Sequence, residues 1–391
     1  MNEETFLPYA KHSMDESDVQ SMIEAIRGEL ISQGPILQRF EERVAQYCGC
    51  QYAVAVSSGT AALHLACLAV GLGPGKRFWT TPLSFIASAN CGLYAGAEVD
   101  FVDICPSTLN LDIDLLEQKL ENAEKEGQLP DVLIPVHFAG LSCPMKRINE
   151  LADKYRFKVI EDGAHALGGE YLGKKIGSCC YSNILTFSFH PIKSITTGEG
   201  GMILTNEEET YQKLLRFRSH GITKDPDILL ENHGPWYYEQ HELGFNYRIT
   251  EFQCALGLSQ MNRLDEFIGE RVALSMEYGS MLENMPLRVQ GKEPDCNSAW
   301  HLFVIRLNTE EIGKTRREVF DELRESNIGA QVHYLPIPMH PYYRRLGFSV
   351  EPYPEVKQYY EEALSLPLFP ELVSGDLVRI VNSLRTTLEV A

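Results

Sequence analysis

Short apolar runs alternate with longer amphipathic stretches through the first half of the chain. The apolar runs predict seven strands, at residues 52–56, 78–81, 99–104, 132–136, 157–160, 183–189 and 202–205. The amphipathic stretches predict helices at 15–30, 36–47, 61–70, 85–94, 112–126 and 145–155. Strands that alternate with helices predict a mostly parallel sheet covered on both faces, and nearly continuous apolar strands suit such burial.

The pattern changes after residue 206. Helices are predicted at 207–218, 250–283, 315–326 and 373–387, and strands at 300–307 and 330–334. Residues 221–247 show little periodicity and predict a long loop, although Trp236 and Tyr238 argue against disorder. We therefore expect two domains: a large α/β domain over residues 1–250, including the N-terminal helical segment, and a smaller α+β domain over residues 251–391.

Composition and charge argue against several classes of function. The 391 residues have a formal net charge of −19, which disfavours nonspecific binding to nucleic acid or to acidic membranes. The N-terminus does not resemble a secretory signal, and no apolar run approaches the roughly 18 residues that span a bilayer. Without an export signal, the ten cysteines are expected to be free thiols rather than disulfides, and the absence of C-x-x-C spacing disfavours a zinc site. We expect a cytoplasmic protein without metal, bound nucleic acid or membrane insertion.

Lys193 lies at a sharp reversal between two apolar strands. The first strand stops at His190-Pro191, because proline cannot donate to a sheet ladder. The next strand begins at Met202, after a small, Gly-rich stretch. Burial at such a place lowers the pKa of an amine and makes it nucleophilic. Taken alone, the same lysine is also typical of a solvated loop.

Two other strand ends contain residues suited to chemistry. Ser58-Gly59-Thr60 precedes a helix whose free N–H groups suit a phosphate, although serine is also an ordinary helix cap. Asp162 ends another strand and can accept a hydrogen bond from a protonated ring nitrogen, with His165 beside the same ring. A capping aspartate and a packed histidine are the alternatives. In open α/β sheets these strand ends share one edge, where ligands bind.

A phosphate cradle, a ring-nitrogen carboxylate and a buried lysine together are the requirements of pyridoxal 5'-phosphate. Asp162 comes 31 residues before Lys193 in the chain. Neither a P-loop nor a G-x-G-x-x-G sequence after the first strand is present, which disfavours nucleoside triphosphate and dinucleotide sites.

At these residues the chain also resembles a known family. The phrases SSGTAALHLA, EDGAHALGGEYLGKKIGS, TFSFHPIKSITTGEGG and ELGFNYRITEFQCALGLSQ are similar to those of the DegT family of pyridoxal-phosphate-dependent sugar aminotransferases, and the resemblance covers nearly the whole chain. It implies the fold-type-I architecture, with a large seven-stranded sheet domain and a smaller α+β domain. Within the family, FSFHPIKSITTGEGG and QVHYLPI are most similar to the branch that makes a UDP-4-amino sugar for pseudaminic acid.

The resemblance implies a role for each matching residue. Lys193 corresponds to the Schiff-base lysine and proton shuttle, Asp162 to the partner of the pyridine nitrogen, and His165 to the residue beside the ring. Phe85 corresponds to the aromatic residue that stacks on the ring. The phosphate is then held by the segment from Ser58 through Gly59 to Thr60, and by Ser188.

Other implied roles concern the partner subunit and the substrate. Asn246 matches a residue that reaches the cofactor of the neighbouring subunit, which implies a homodimer with shared sites. His190, Arg248, His333 and Tyr334 are candidates for substrate binding, although an ion pair or packing also explains several of them. The implied substrates are L-glutamate and a UDP-linked 4-keto-6-deoxy-N-acetylhexosamine.

Three alternatives remain at this stage. Another nucleotide-linked keto sugar, UDP- or dTDP-linked and aminated at C3 or C4, would suit the same residues. A sugar dehydratase of the same fold is disfavoured, because such members replace the lysine with histidine. A non-catalytic sensor or transcription regulator is disfavoured by the presence of Lys193 and by the acidic charge.

Overall fold

The structure, a computed structural model, describes residues 5–388. The strands are, in chain order, Tyr52–Val56 (β1), Arg77–Thr80 (β2), Glu98–Phe101 (β3), Val132–Ile134 (β4), Lys158–Asp162 (β5), Glu170–Tyr171 (β6), Lys174–Lys175 (β7), Ile184–Ser188 (β8), Gly201–Thr205 (β9), Ile222–Thr223 (β10), Glu239–Gln240 (β11), Leu287–Val289 (β12), Cys296–Asn297 (β13), Phe303–Leu307 (β14) and Ala363–Leu366 (β15). The helices are Glu16–Arg27 (α1), Pro35–Cys48 (α2), Gly59–Ala69 (α3), Ala87–Tyr94 (α4), Ile113–Glu126 (α5), Met145–Tyr155 (α6), Glu208–Arg218 (α7), Glu251–Met261 (α8), Leu264–Met281 (α9), Thr309–Ile312 (α10), Arg316–Glu325 (α11), Pro341–Arg345 (α12), Pro354–Glu362 (α13) and Ser374–Thr387 (α14).

Seven strands form the central sheet in the order β1-β9-β8-β5-β4-β2-β3. The run β8-β5-β4-β2-β3 is parallel, which confirms the predicted α/β architecture. Only β9 runs the other way, antiparallel to both β1 and β8. Because β1 and β8 are both antiparallel to β9, they point in the same direction. The carboxyl ends of β1, β5 and β8 therefore meet at one edge of the sheet.

Helices cover both faces of this sheet, as the continuous apolar strands predict. Ala53 and Ala55 of β1 belong to a buried apolar cluster that includes residues of α2, α8 and the start of α9. Val54 and Val56 belong to the cluster on the opposite face, with residues of α3, α4 and α7. The alternation along β1 thus fixes which side chains meet which helical layer.

A second, three-stranded antiparallel sheet, β12-β14-β15, follows in the C-terminal part of the chain. The prediction of a strand at 330–334 is wrong: this segment makes a single bridge, from Gln331 to Ser365. The position beside β14 is taken by β15, which the sequence analysis did not predict. The carbonyl of His333 accepts from Tyr359 Oη, and Pro336 and Pro338 follow without N–H groups to extend a ladder.

Two other expectations need adjustment. The single helix predicted at 250–283 is two helices, α8 and α9, separated at Asn262 and Arg263. The segment 221–247 is mostly irregular, as predicted, but contains the short antiparallel pair of β10 and β11. The division into domains at residue 250 remains a prediction. Across residues 5–388, no helix has the length and apolar content required to cross a lipid bilayer.

Glu251, fully buried at the start of α8, holds the start of α2 in place. Its carboxylate accepts from the N–H groups of Gly34 at 2.9 Å and Ile36 at 2.8 Å. These are N–H groups that a helix start leaves without an intrahelical partner. A side chain distant in sequence therefore caps α2 and ties it to α8.

Replacing Glu251 with alanine should destabilise the protein by about 3 kcal/mol, because the backbone N–H groups of Gly34, Ile36 and Leu37 lose a charged acceptor. Urea unfolding followed by circular dichroism measures the loss. The matched control is Glu42→Ala, which removes an exposed carboxylate from α2 and should change the unfolding free energy by less than about 0.5 kcal/mol. Equal effects of the two substitutions would contradict the capping role.

Candidate active site

A cavity of about 460 Å³ opens at the sheet edge where β1, β5 and β8 end. It is a volume typical of small-molecule sites. Eleven of the residues predicted from the sequence line it: Ser58, Gly59, Thr60, Phe85, Asp162, His165, Ser188, His190, Lys193, His333 and Tyr334. The strand ends that the sequence analysis treated separately therefore converge on one space.

The start of α3 forms one wall of this cavity. The Ser58 hydroxyl accepts from Ala61 N at 3.1 Å and caps the helix, so the ordinary capping role is present as well. Gly59 lies against β8, where a Cβ atom would be 2.8 Å from the Cβ of Ser188. Only glycine permits this approach, which places the first N–H groups of α3 next to the Ser188 hydroxyl. Such a corner binds phosphate groups.

Asp162, which is 4% exposed, is fixed at the end of β5. Ser88 Oγ donates to Asp162 Oδ2 at 2.6 Å, and Ala164 N donates to Oδ1 at 3.1 Å. Ser84 Oγ lies 2.6 Å from Ser88 Oγ and extends the network. The carboxylate is thereby held in one orientation with its outer edge toward the cavity.

His165 is held as a neutral ring of defined tautomer. Its Nδ1 accepts from Ala139 N at 3.2 Å, so the ring proton lies on Nε2. That nitrogen is 3.2 Å from Tyr334 Oη and donates to it. Burial, followed by the charge of Lys193, keeps the pKa of His165 well below its usual value. The ring can therefore lie beside a ligand without adding a charge.

Lys193 extends into the cavity on the side of Asp162. Burial lowers the pKa of its amine to about 8, and the negative charge of Asp162 opposes part of that effect. The part of the side chain that is still exposed faces the cavity. Near neutral pH a useful fraction of the amine is thus unprotonated and nucleophilic.

Two predicted residues do not line the cavity of the single chain. Asn246 is exposed and makes an isolated bridge to Ser219, and Arg248 is half-buried next to it in the chain. The assignment of Asn246 to a neighbouring subunit's site stays a prediction.

Sequence reasoning missed several residues of the site. Tyr9 from the N-terminal segment and Ser84 and Ser88 line the cavity, and His301 lies behind Lys193. Helical periodicity gave no signal for this pair, because Ser84 precedes α4. Nothing in the sequence relates Tyr9 or His301 to residues more than a hundred positions away.

The family model described as the DegT/DnrJ/EryC1/StrS aminotransferase family matches residues 12–385. The chain belongs to this family. The aminotransferase is 35% identical over 385 residues to the UDP-4-amino-4,6-dideoxy-N-acetyl-beta-L-altrosamine transaminase of Campylobacter jejuni, with 98% of each chain covered.

Solved structures of sugar aminotransferases also match this chain. Helicobacter pylori PseC, an aminotransferase involved in the biosynthesis of pseudoaminic acid, matches with a TM-score of 0.91 and 28% identity, over 99% of this chain and 100% of that one. Spr1654 from Streptococcus pneumoniae, described as a sugar aminotransferase and solved in its PMP form, matches with a TM-score of 0.89 and 27% identity, over 98% and 99% of the two chains. The protein is a sugar aminotransferase of fold type I with pyridoxal phosphate as its cofactor.

The residues of the cavity fit this cofactor. The corner of α3 and Ser188 suits its phosphate, Asp162 suits its pyridine nitrogen, and Lys193 suits its aldehyde. The half-exposed ring of Phe85 faces the same cavity and is available to cover one face of the pyridine.

Replacing Ser88 with alanine should weaken binding of pyridoxal phosphate about tenfold, because Asp162 loses a charge-assisted hydrogen bond that orients it. Equilibrium dialysis of the stripped protein measures the dissociation constant. Ser275→Ala is the matched control: it removes another buried hydroxyl, which bonds only within α9. Unchanged affinity in Ser88→Ala would contradict the orienting role.

The pKa of Lys193 predicts a pH dependence. Only the neutral amine attacks an aldehyde, so the rate at which Lys193 of the stripped protein captures added pyridoxal phosphate should rise as the pH passes about 8. Borohydride trapping at each pH, followed by mass spectrometry of the Lys193 peptide, measures this rate. A rise centred near 10.5, the ordinary lysine value, would show that burial does not perturb the amine.

Proposed function

We propose that the enzyme transfers the amino group of L-glutamate to the C4 keto group of a UDP-linked 4-keto-6-deoxy-N-acetylhexosamine, as a step in making a 4-amino sugar for pseudaminic acid. The observation that supports this most strongly is the placement of Lys193, Asp162 and the phosphate corner around one cavity. The activities ascribed to the C. jejuni relative and to PseC support the choice of sugar.

When bound, pyridoxal phosphate supplies an electron sink that stabilises negative charge on the carbon bearing the amino group. The protein's part is to hold and to move protons. Asp162 keeps a proton on the pyridine nitrogen, and Ser88 keeps Asp162 aimed at it. The free amine of Lys193 would take the proton from the substrate carbon and deliver it to the carbon on the other side of the transferred nitrogen, which its lowered pKa permits.

The open side of the cavity is assigned to the sugar. His190, His333 and Tyr334 line the cavity and are the residues that we assign to the sugar. Burial, followed by Lys193, lowers the pKa of His333 to about 3, so this ring meets the substrate uncharged. Arg248 is assigned to the nucleotide or the amino donor, and Asn246 to the cofactor phosphate of the partner in a homodimer.

The reaction itself is tested with a panel of UDP- and dTDP-linked 3-keto and 4-keto sugars, with glutamate as donor and the products identified by NMR. We expect the UDP-linked 4-keto-6-deoxy-N-acetylhexosamine to be used best, with the new amine on C4. Faster turnover of a dTDP-linked or 3-keto sugar would overturn the proposed substrate.

Replacing Lys193 with alanine should lower turnover of that substrate about a thousandfold or more, because the proton shuttle is lost. The same variant should retain no cofactor after borohydride treatment. Lys174→Ala removes an exposed lysine and serves as the control with unchanged turnover. Substantial activity in Lys193→Ala would exclude the assigned role.

A further inference from the structure

His301 enters the site from the segment that precedes β14. Its backbone N–H donates to Ala139 O at 2.9 Å. Gly140, at φ +100°, permits this approach, because a Cβ there would lie 2.8 Å from Trp300 N and 3.1 Å from His301 N. The guanidinium of Arg271 binds the carbonyl groups of Trp300 and His301 from the other side. Two polypeptide segments and a buried arginine therefore fix the position of the imidazole.

The imidazole of His301 contacts the amine of Lys193. Nε2 lies 3.5 Å from Lys193 Nζ, a long hydrogen bond, and it is the one side-chain hydrogen-bond partner of that amine within residues 5–388. The ring also packs on His165, with 4.3 Å between the ring centroids. His301 thus lies between the lysine and the ring that faces the cofactor site.

The Nδ1 atom of His301 makes burial of this side chain energetically unfavourable. His301 is 1% exposed, and its Nδ1 has no hydrogen-bond partner in the part of the chain that the structure describes. A buried polar atom without a partner destabilises a fold. A leucine would fill a similar volume without that cost. The imidazole is therefore not explained by stability, and its contact with Lys193 is the remaining explanation.

We propose that His301 is a positioning residue whose Nε2 accepts a hydrogen bond from the amine of Lys193 while that amine is free of the cofactor. This inference rests on the role proposed above for Lys193. An amine that takes a proton in a water-poor site becomes an ammonium that needs acceptors. His301 provides one, and the hydrogen bond would fix the position of the nitrogen.

A neutral acceptor suits this task better than a carboxylate. A second carboxylate would stabilise the ammonium and hold the proton, whereas a neutral ring orients the amine and allows the proton to leave. The charged and titratable groups around the amine and the ring are Asp162, His165, His190, His333 and Arg271. Burial first, and then Lys193, His165 and Arg271, hold the pKa of His301 well below its usual value, so it remains an acceptor.

His301→Leu and His301→Gln separate positioning from packing. Leucine removes the acceptor, whereas the glutamine amide restores an oxygen close to the position of Nε2. In the stripped full-length protein, the pH midpoint for labelling of Lys193 by acetic anhydride, read by mass spectrometry, should fall by about one unit in His301→Leu, a tenfold loss of proton affinity. His301→Gln should stay near the wild-type midpoint, which is expected at about 8.

Kinetic measurements on the enzymes loaded with pyridoxal phosphate, and their thermal unfolding temperatures, complete the test. We expect kcat to fall about tenfold to a hundredfold in His301→Leu with little change in KM, and to recover largely in His301→Gln. The unfolding temperature of His301→Leu should equal or exceed that of the wild type, because the unpartnered Nδ1 is gone. A purely structural histidine predicts the opposite, a lower unfolding temperature in both variants.

His64→Leu is the matched control. His64 is also buried, pairs with Tyr247 and does not line the cavity, so its replacement should leave the Lys193 midpoint unchanged. A wild-type midpoint and kcat in His301→Leu would overturn the positioning role alone. Failure of wild-type Lys193 to capture pyridoxal phosphate would instead overturn the proposed role of the lysine, whatever the His301 variants do.

Discussion

The pairing of β9 between β1 and β8 is the constraint on which the site depends. Gly201 of β9 pairs with Val56 on one side and with Ser188 on the other, so the ends of β1 and β8 lie only two strands apart. That spacing puts the first turn of α3 against Ser188 and leaves room for glycine alone at position 59. The parallel pairing of β8 with β5 then adds Asp162 to the same edge. One antiparallel strand in an otherwise parallel sheet therefore brings the phosphate corner and the Asp162 carboxylate together.

The charges around the cavity are set by the residues that line it and not by the net acidic charge of the protein. Near the lysine lie Asp162 and four histidines, His165, His190, His301 and His333, each of which has a pKa lowered chiefly by burial. Neutral rings provide directional donors and acceptors without repelling the amine. The net charge of −19 is consequently no guide to the site, because a phosphate there meets helix N–H groups and hydroxyls rather than the average surface.

The C-terminal part of the chain contributes to the site through irregular segments. His301 precedes β14, and His333 with Tyr334 precedes the 3-10 turn at Ile337–Met339. The expected strand at 330–334 fails for this reason: His333 and Tyr334 line the cavity, and the carbonyl of His333 bonds to the buried Tyr359 instead of a sheet partner. A functional position overrides the β-forming tendency of the local sequence.

The sequence by itself determined the seven strands, the mostly parallel character of their sheet, and Lys193, Asp162 and the Ser58–Thr60 turn as strand-end residues, because periodicity and turn chemistry are local properties. Those residues also predicted pyridoxal phosphate, and resemblance to a family added the expected roles of Phe85 and Ser188. Only the tertiary structure decided that Ser88 holds Asp162, that Tyr334 meets His165, and that His301 touches Lys193. These contacts join residues 74 to 169 positions apart. Such pairs are chosen by how strands and loops pack, and no local pattern of hydrophobic and polar residues encodes them.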